Sequence, residues 1–543
     1  MTVAFANVRK KISMETKGNN YRWVGKRTIR PDGVEKVTGK APFGADHFLP
    51  GMLTGLVLRS PHAHARIVSI DISKAVALEG VKAVVTAMDF PEIAPGTVLG
   101  VPPVNYRDLS SNVMARKKVL YHGHPIAAVA AVSREVAKRA LALIHVHYDV
   151  LAHVVDVEEA MKPGAPLVHE DLFTSGVEPA PTKPSNIAKR IAFSIGDITS
   201  GFEEADYVIE HRFRTQPVHQ GYIEPHAVIA DFGEDGRCRI WCSSQGHYMV
   251  RAKCARLLGM TLSDIRVIPL EIGGGFGAKT TVWLEPLAVL LSKKAGRPVK
   301  MTMTREEVFR ATGPTSGSAM CVRIGVTKLG RITAGAAELK YQAGAFPGSP
   351  VLAGAMCAFA AYDVENVDVV GYDVVTNRPR AVAYRAPGAP IAAFAVESVM
   401  NELAAKLKMD PLEFRQRNGA KEGTRTAYGP TFGIIGYQET LKAARNHPHY
   451  AAPLGKNQGR GVASGFWFNV GGETTCGVSL QEDGSLTVTV GTPDIGGSRA
   501  AMVQMAAEIL EVDPSFINIT IADTASLGFN RHTGGSRVTF AAG

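Results

Sequence analysis

The stretch Ile272–Thr281, IGGGFGAKTT, places four glycines and one lysine within ten residues. Glycine lets a backbone approach a ligand closely and leaves its amides bare, so such a run can hold an anion through main-chain N–H groups. DIRVIPL before it reads as an apolar strand. TTVWLEPLAVLLSKKAG after it reads as a helix ending at Gly296, so the turn is expected at a helix N-terminus. Three readings compete. A phosphate-binding P-loop needs Gly directly before Lys-Thr, and Ala278 stands there. Gly273, Gly275 and Ala278 satisfy a dinucleotide fingerprint, but no acid follows about twenty residues on, where Arg297 lies. A tight turn without a ligand is the plain alternative, although three consecutive glycines are entropically expensive for a turn alone.

The elements that must position this loop span a long chain. Its 543 residues exceed one hydrophobic core, and 45% hydrophobic with 20% charged residues is the balance of a folded protein. The net charge of +10 comes from scattered Lys and Arg rather than a basic stripe, which argues against nucleic acid. No apolar run reaches membrane-spanning length. Cys238, Cys242, Cys254, Cys321, Cys357 and Cys476 form no C-x-x-C pair. An iron–sulfur cluster or zinc ribbon in this chain is therefore not expected, and the chain suits a reducing cytoplasm.

The coarse reading is mixed α+β and α/β. Residues 1–29 form a polar N-terminal arm without a signal peptide's apolar core. Residues 30–156 form a small unit in which PIAAVAAV is a buried strand, SREVAKRALALI a helix capped by Ser133, and HVHYDVL a further strand. The Pro-rich EPAPTKPSNI lies in a linker, 157–188. A longer α/β region covers 189–445, and a strand-rich one 446–543. TGGSRVTFAAG follows the pattern of a helix's first turn, and a domain stopping there would leave an apolar face for a further segment or a partner chain. His62 with His64, and His122 with His124, tempt a metal reading but are expected to be structural.

GGGFGAK resembles the GGGFGxK loop of the molybdenum hydroxylases, the xanthine dehydrogenase/aldehyde oxidase family. RPDGVEKVTGKAPFGAD, PGMLTGLVLRSPHAHARIVSID and GVKAVVTAMDFP are similar to its small N-terminal domain. SSQGHYMVRAKCARLLGM, AYRAPGAPIAAFAVESVMNELAAKLKMDPLEFRQRN and TGGSRVTFAAG are similar to its cofactor-binding segments, in the family's order. The resemblance implies a hammerhead-like α/β domain, 30–156, then two molybdopterin-binding α+β domains, the second incomplete. It implies a molybdenum–molybdopterin cofactor, often the cytosine dinucleotide, whose dithiolene holds the metal without any side-chain ligand. Main-chain amides then grip pterin and pyrophosphate. Gly274, Gly275, Phe276 and Gly277 match the loop beside molybdenum. Gln245 matches the amide donor to the apical oxygen, and Gly534, Gly535 and Ser536 match a third contact. Arg385 matches an arginine beside the metal, where a fixed guanidinium steadies developing charge.

Four features set this chain apart. Thr280 replaces the acid that helps xanthine dehydrogenases bind purine. Ala386 stands where the copper-containing carbon monoxide dehydrogenases carry a Cys, so that branch is rejected. DIGGS, Asp494–Ser498, replaces the GQG turn, leaving the amides of Gly496 and Gly497 to serve there. The family's general-base Glu, in a GEP-like motif near the C-terminus, has no match before Gly543. The family's reaction hydroxylates an aldehyde or N-heteroaromatic substrate with oxygen from water. Its electrons leave through an iron–sulfur subunit carrying [2Fe–2S] centres and an FAD subunit. A separate C-terminal molybdopterin-domain chain is a further implied partner. The alternatives are an inactive or incomplete cofactor-binding subunit and an NAD(P)-dependent dehydrogenase.

Overall fold

A computed structural model describes residues 21–99, 103–468 and 471–543. The polar start of the chain, 1–20, lies outside the described residues. The first sheet runs in the order Ile265–Pro269, Cys238–Cys242, Ala227–Phe232, Val299–Thr302, Leu53–Arg59, Pro125–Ala131, Val81–Thr86. Pro125–Ala131 is buried at every residue, which explains its unbroken run of small apolar side chains: a strand covered on both faces does not alternate. Ser133 caps helix Arg134–Ala142 by accepting the Val136 amide at 3.2 Å. Leu53 pairs in parallel with Val299, so strands drawn from 30–156 and 189–445 share one ladder.

A second sheet runs Tyr207–Thr215, Ser318–Val326, Ile332–Gly344, Asn366–Val375, Ile187–Ile195. Helices Val351–Cys357 and Ala389–Lys406 pack Val351, Val396 and Met400 into the core that holds Val322, Leu339 and Val369. The passage 157–188 does not run free beside this sheet. It opens with helix Val157–Met161, and buried Asn186 accepts the Val168 amide while donating to the carbonyls of Ala160 and Pro166.

The third sheet, Cys476–Leu480, Leu486–Val490, Ile517–Ile521, is covered by helix Ser498–Leu510 through Met502, Val503 and Ala507. Val478 and Leu480 stay exposed, so apolar surface is left open, and Val538–Ala541 is the expected short helix. The described end of the N-terminal arm is tied down here. The Glu508 carboxylate accepts the amides of Arg22, Trp23 and Val24, and the Gln504 amide donates to the carbonyls of Trp23 and Lys26.

Two of the histidines, His64 and His124, are bonded to backbone within the fold. His64 Nδ1 bonds to the Ala152 carbonyl at 2.8 Å. His124 Nδ1 accepts the Leu120 amide at 3.1 Å and Nε2 donates to the Ser111 carbonyl at 2.8 Å, which fixes the neutral ring. No cluster of His, Cys, Asp and Glu suited to a metal occurs among the described residues. Burial pushes His124 down from 6.5 to about 4. The unfolded chain therefore binds this proton first as pH falls, and stability drops between about 6.5 and 4. The loss attributable to His124 is expected to reach roughly 3 kcal/mol below that window. Urea unfolding at a series of pH values, compared with His124→Gln, checks this; parallel pH curves for the two proteins would contradict it.

Candidate functional site

The glycine loop leaves strand Ile265–Pro269 as expected, but it does not open a helix. Residues 280–284 bend across the core, burying Val282, Trp283 and Leu284, and the helix begins only at Glu285. Just ahead of it, Glu285 Oε2 accepts the amide of Trp283, which lies outside the helix, at 2.8 Å. This corrects the expected anion seat at a helix N-terminus, and it removes the geometry on which both nucleotide-loop readings depend.

The loop is instead held open from outside, and Gln245 is the joint. Its Oε1 accepts the amides of Gly277 at 2.8 Å and Lys279 at 3.3 Å, and its Nε2 donates to the Thr533 carbonyl at 2.7 Å. The Thr533 amide returns a bond to the Gln245 carbonyl at 2.7 Å. One buried side chain therefore couples the glycine loop to the 531–536 loop. A Cβ on Gly275 would lie 2.5 Å from Gln245 Oε1, so only glycine passes there.

The arginine loop closes on the other side. The Arg385 amide donates to the Phe276 carbonyl at 2.9 Å. The Arg385 guanidinium is exposed and makes no hydrogen bond or ion pair among the described residues, so it stands as a free cation. Among those residues, Phe276, Arg385, Ala386 and Ser536 are four of the seven non-glycine positions with positive φ. Such conformations cost free energy and persist only where surrounding structure imposes them. Phe276 is 42% exposed, unlike a core aromatic.

The third contact loop is set by a residue the sequence did not single out. Buried Arg537 donates to the carbonyls of Gly471, Gly472, Glu473 and Arg531, knotting the chain just after Gly534, Gly535 and Ser536. Trp467 Nε1 donates to the Gly535 carbonyl at 3.3 Å, and Trp467 also lines a cleft of about 370 Å³ with Ala386, Ala389, Tyr362 and Phe466. Gln245, Gly274, Gly275, Phe276, Gly277, Arg385, Gly534, Gly535 and Ser536 thus lie on loops joined directly to one another or across this cleft.

Gly496 and Gly497 do not offer free amides. Asp494 Oδ1 accepts the N–H groups of Gly496, Gly497 and Ser498 at 3.0, 2.7 and 3.0 Å. Burial opposes ionisation of Asp494, but the amides of Gly497, Arg499 and Ser498 outweigh it and hold the carboxyl below its usual range. The turn is filled by the chain's own anion, which corrects the expected role of these two glycines. The segment still reaches the site, because Thr533 Oγ1 donates to the Pro493 carbonyl at 2.7 Å.

Beneath the loop lies a buried ion pair. Lys279 Nζ sits 2.7 Å from Glu224 Oε2, which also accepts the Gly273 amide at 2.8 Å, and Oε1 accepts the Gly44 amide at 2.9 Å. Burial lowers Lys279, with Glu224 opposing. No local pattern announces a pair so far apart in sequence.

The chain resembles known proteins along its length. Residues 38–152 match the aldehyde oxidase and xanthine dehydrogenase a/b hammerhead domain, and 179–419 and 434–543 each match a molybdopterin cofactor-binding domain. The chain is 31% identical to the probable hypoxanthine oxidase of Escherichia coli K12, over 94% of this chain but only 58% of that protein. It is 32% identical to the nicotinate dehydrogenase large molybdopterin subunit of Eubacterium barkeri, over 79% of this chain and 97% of the relative. The aldehyde oxidoreductase structure of Desulfovibrio gigas superposes with a TM-score of 0.85 at 26% identity, covering 100% of this chain and 61% of that one. The chain therefore spans about three-fifths of the first of these relatives and of that solved structure. A hammerhead domain followed by two molybdopterin-binding domains, in one order and at this identity, makes the chain a member of the molybdenum hydroxylase family, on its molybdopterin-binding large-subunit side.

Proposed function

We propose that this chain is the molybdopterin-binding catalytic subunit of a cytoplasmic molybdenum hydroxylase that oxidises an aldehyde or N-heteroaromatic substrate with water as oxygen donor. The observation that carries the reading is the convergence of strained Phe276, Arg385, Ala386 and Ser536 on loops joined by Gln245 and Trp467. The cradle suits a flat anionic cofactor. Gly275 and Gly277 leave no room for a side chain, and Arg385 is an unpaired cation. Gly274–Gly277, Gln245, Arg385 and Gly534–Ser536 would hold molybdopterin, with or without its cytosine dinucleotide. When bound, the cofactor supplies the two-electron redox centre.

The chain's own groups bind and orient. Arg385 offers fixed positive charge where negative charge grows. The cleft beside Ala386 is lined by Phe466, Trp467 and Tyr362, which suits an uncharged substrate, and Thr280 brings no carboxylate to meet a purine. The buried glutamates near the site are committed elsewhere. Glu224 is held by Lys279, and Glu397 by Arg415 at 2.7 Å, by the Tyr362 hydroxyl and by the Ser464 amide. Neither of these two carboxylates is free to act as a base. Iron–sulfur and FAD subunits would take the electrons. No helix among the described residues is long and apolar enough to cross a membrane.

Elemental analysis of the protein purified with its partner subunits tests the proposal. About one molybdenum per chain is expected; no molybdenum with bound nicotinamide would remove it. Arg385→Met is expected to lower turnover per bound molybdenum about 10²- to 10³-fold. An unchanged rate would take Arg385 out of the chemistry. The reading of a catalytically silent cofactor-binding subunit predicts full molybdenum loading and no turnover, even with every partner present.

A further inference from the structure

The segment 216–226 crosses from one large sheet to the other, between strands Tyr207–Thr215 and Ala227–Phe232. It is pinned along its length. The Thr315 amide donates to the Val218 carbonyl, His219 Nε2 bonds to Thr312 Oγ1 at 2.8 Å, and Arg305 Nη1 donates to the Tyr222 carbonyl at 2.8 Å. Gln220 is buried within it, 6% exposed. Its Nε2 donates to the Ala383 carbonyl at 2.9 Å. That carbonyl also abuts the glycine loop, because a Cβ on Gly277 would lie 2.5 Å from it. Two residues on, Arg385 has φ 31 and bonds through its amide to Phe276, itself at φ 52.

Gln220 Oε1, by contrast, is buried without a hydrogen-bond partner among the described residues. An unpaired buried acceptor lowers stability, and an apolar side chain of similar size would escape that cost. The donor half of this amide is therefore the half with a structural task, and the task falls on the loop that carries Arg385.

We propose that Gln220 is a positioning residue. By holding the Ala383 carbonyl between itself and Gly277, its side-chain N–H keeps Arg385 and Phe276 in their strained conformations around the cofactor cradle. The proposal rests on the reading of that cradle as the molybdopterin site only for its consequence in cofactor retention. The clamp itself is a property of the chain. Ala383 is half-buried, so its carbonyl can turn to water once the clamp is gone.

Hydrogen exchange on the cofactor-free chain, read at the peptides covering 274–280 and 383–388, tests it. Gln220→Met is expected to leave the melting temperature equal or higher, yet to speed exchange of the Arg385 amide about tenfold. A purely structural role predicts a lower melting temperature and faster exchange throughout the chain, and that result overturns the proposal. An unchanged Arg385 amide overturns it too. Gln220→Glu supplies a second variant. Its carboxyl offers an O–H donor only when protonated, so protection of the Arg385 amide, relative to wild type at the same pH, should return in acid and vanish as pH rises. The same variants purified with partner subunits should retain several-fold less molybdenum. Faster Arg385 exchange with full molybdenum content would keep the clamp and count against the molybdopterin reading.

Discussion

Gly277→Ala is expected to fold with a lowered melting temperature and to retain less than a tenth of the wild-type molybdenum. Gly277 has φ +110, a conformation L side chains rarely adopt, and its Cβ would lie 2.5 Å from the Ala383 carbonyl oxygen and 2.7 Å from its carbon. Both obstacles are backbone, and Ala383 is held from behind by Gln220, so the glycine loop must move instead. The backbone term alone costs about 1–3 kcal/mol. Movement also breaks the 2.8 Å bond from the Gly277 amide to Gln245, which couples this loop to 531–536. Gly296 provides the control. It ends a helix at φ +61 with nothing within 4 Å of its Cβ, so Gly296→Ala should cost only about 1 kcal/mol and no molybdenum. Metal analysis and thermal melts of the two variants decide. Full metal content in Gly277→Ala would mean that this loop does not hold the cofactor.

Local pattern revealed the pieces of this fold and little of their assembly. The strand Pro125–Ala131, the Ser133 cap and the helix end at Gly296 follow from side-chain sequence alone, because period and capping are local physics. The helix after the glycine loop starts late because Val282, Trp283 and Leu284 are drawn into the core, and tertiary burial overrides helical preference. The parallel pairing of Leu53 with Val299 leaves no local trace. The resemblance located Gln245, which on its residues alone reads as a surface glutamine; the fold buries it between two loops. The resemblance also misjudged Gly496 and Gly497, since a nearby Asp can fill an amide turn in place of a ligand. Glu224 and Lys279 were legible only as single charged residues, because a buried pair shows itself through three-dimensional proximity.

That pair sets the other large expectation. Lys279→Met should destabilise the chain by about 3–5 kcal/mol, the range for removing one partner of a buried ion pair. Side-chain exposure is 0% at Lys279 and 7% at Glu224, so neither can turn to water. The Gly44 and Gly273 amides remain on Glu224, but two neutral donors do not replace an ammonium group 2.7 Å away. The stranded carboxylate should take up a proton on folding, so the deficit should shrink in acid and grow as pH rises. Gln at position 224 removes the buried charge, although its NH2 cannot accept the second amide. Lys279→Met with Glu224→Gln should therefore regain only part of the loss. The effect on the site should exceed the effect on the core, because Gly273 opens the glycine loop and Lys279 closes it. Pair removal frees both ends. Denaturant unfolding of the two single variants and the double variant, at two pH values, gives the coupling. A loss below about 1 kcal/mol that ignores pH would show the pair to be solvated, and the glycine loop would then need another anchor.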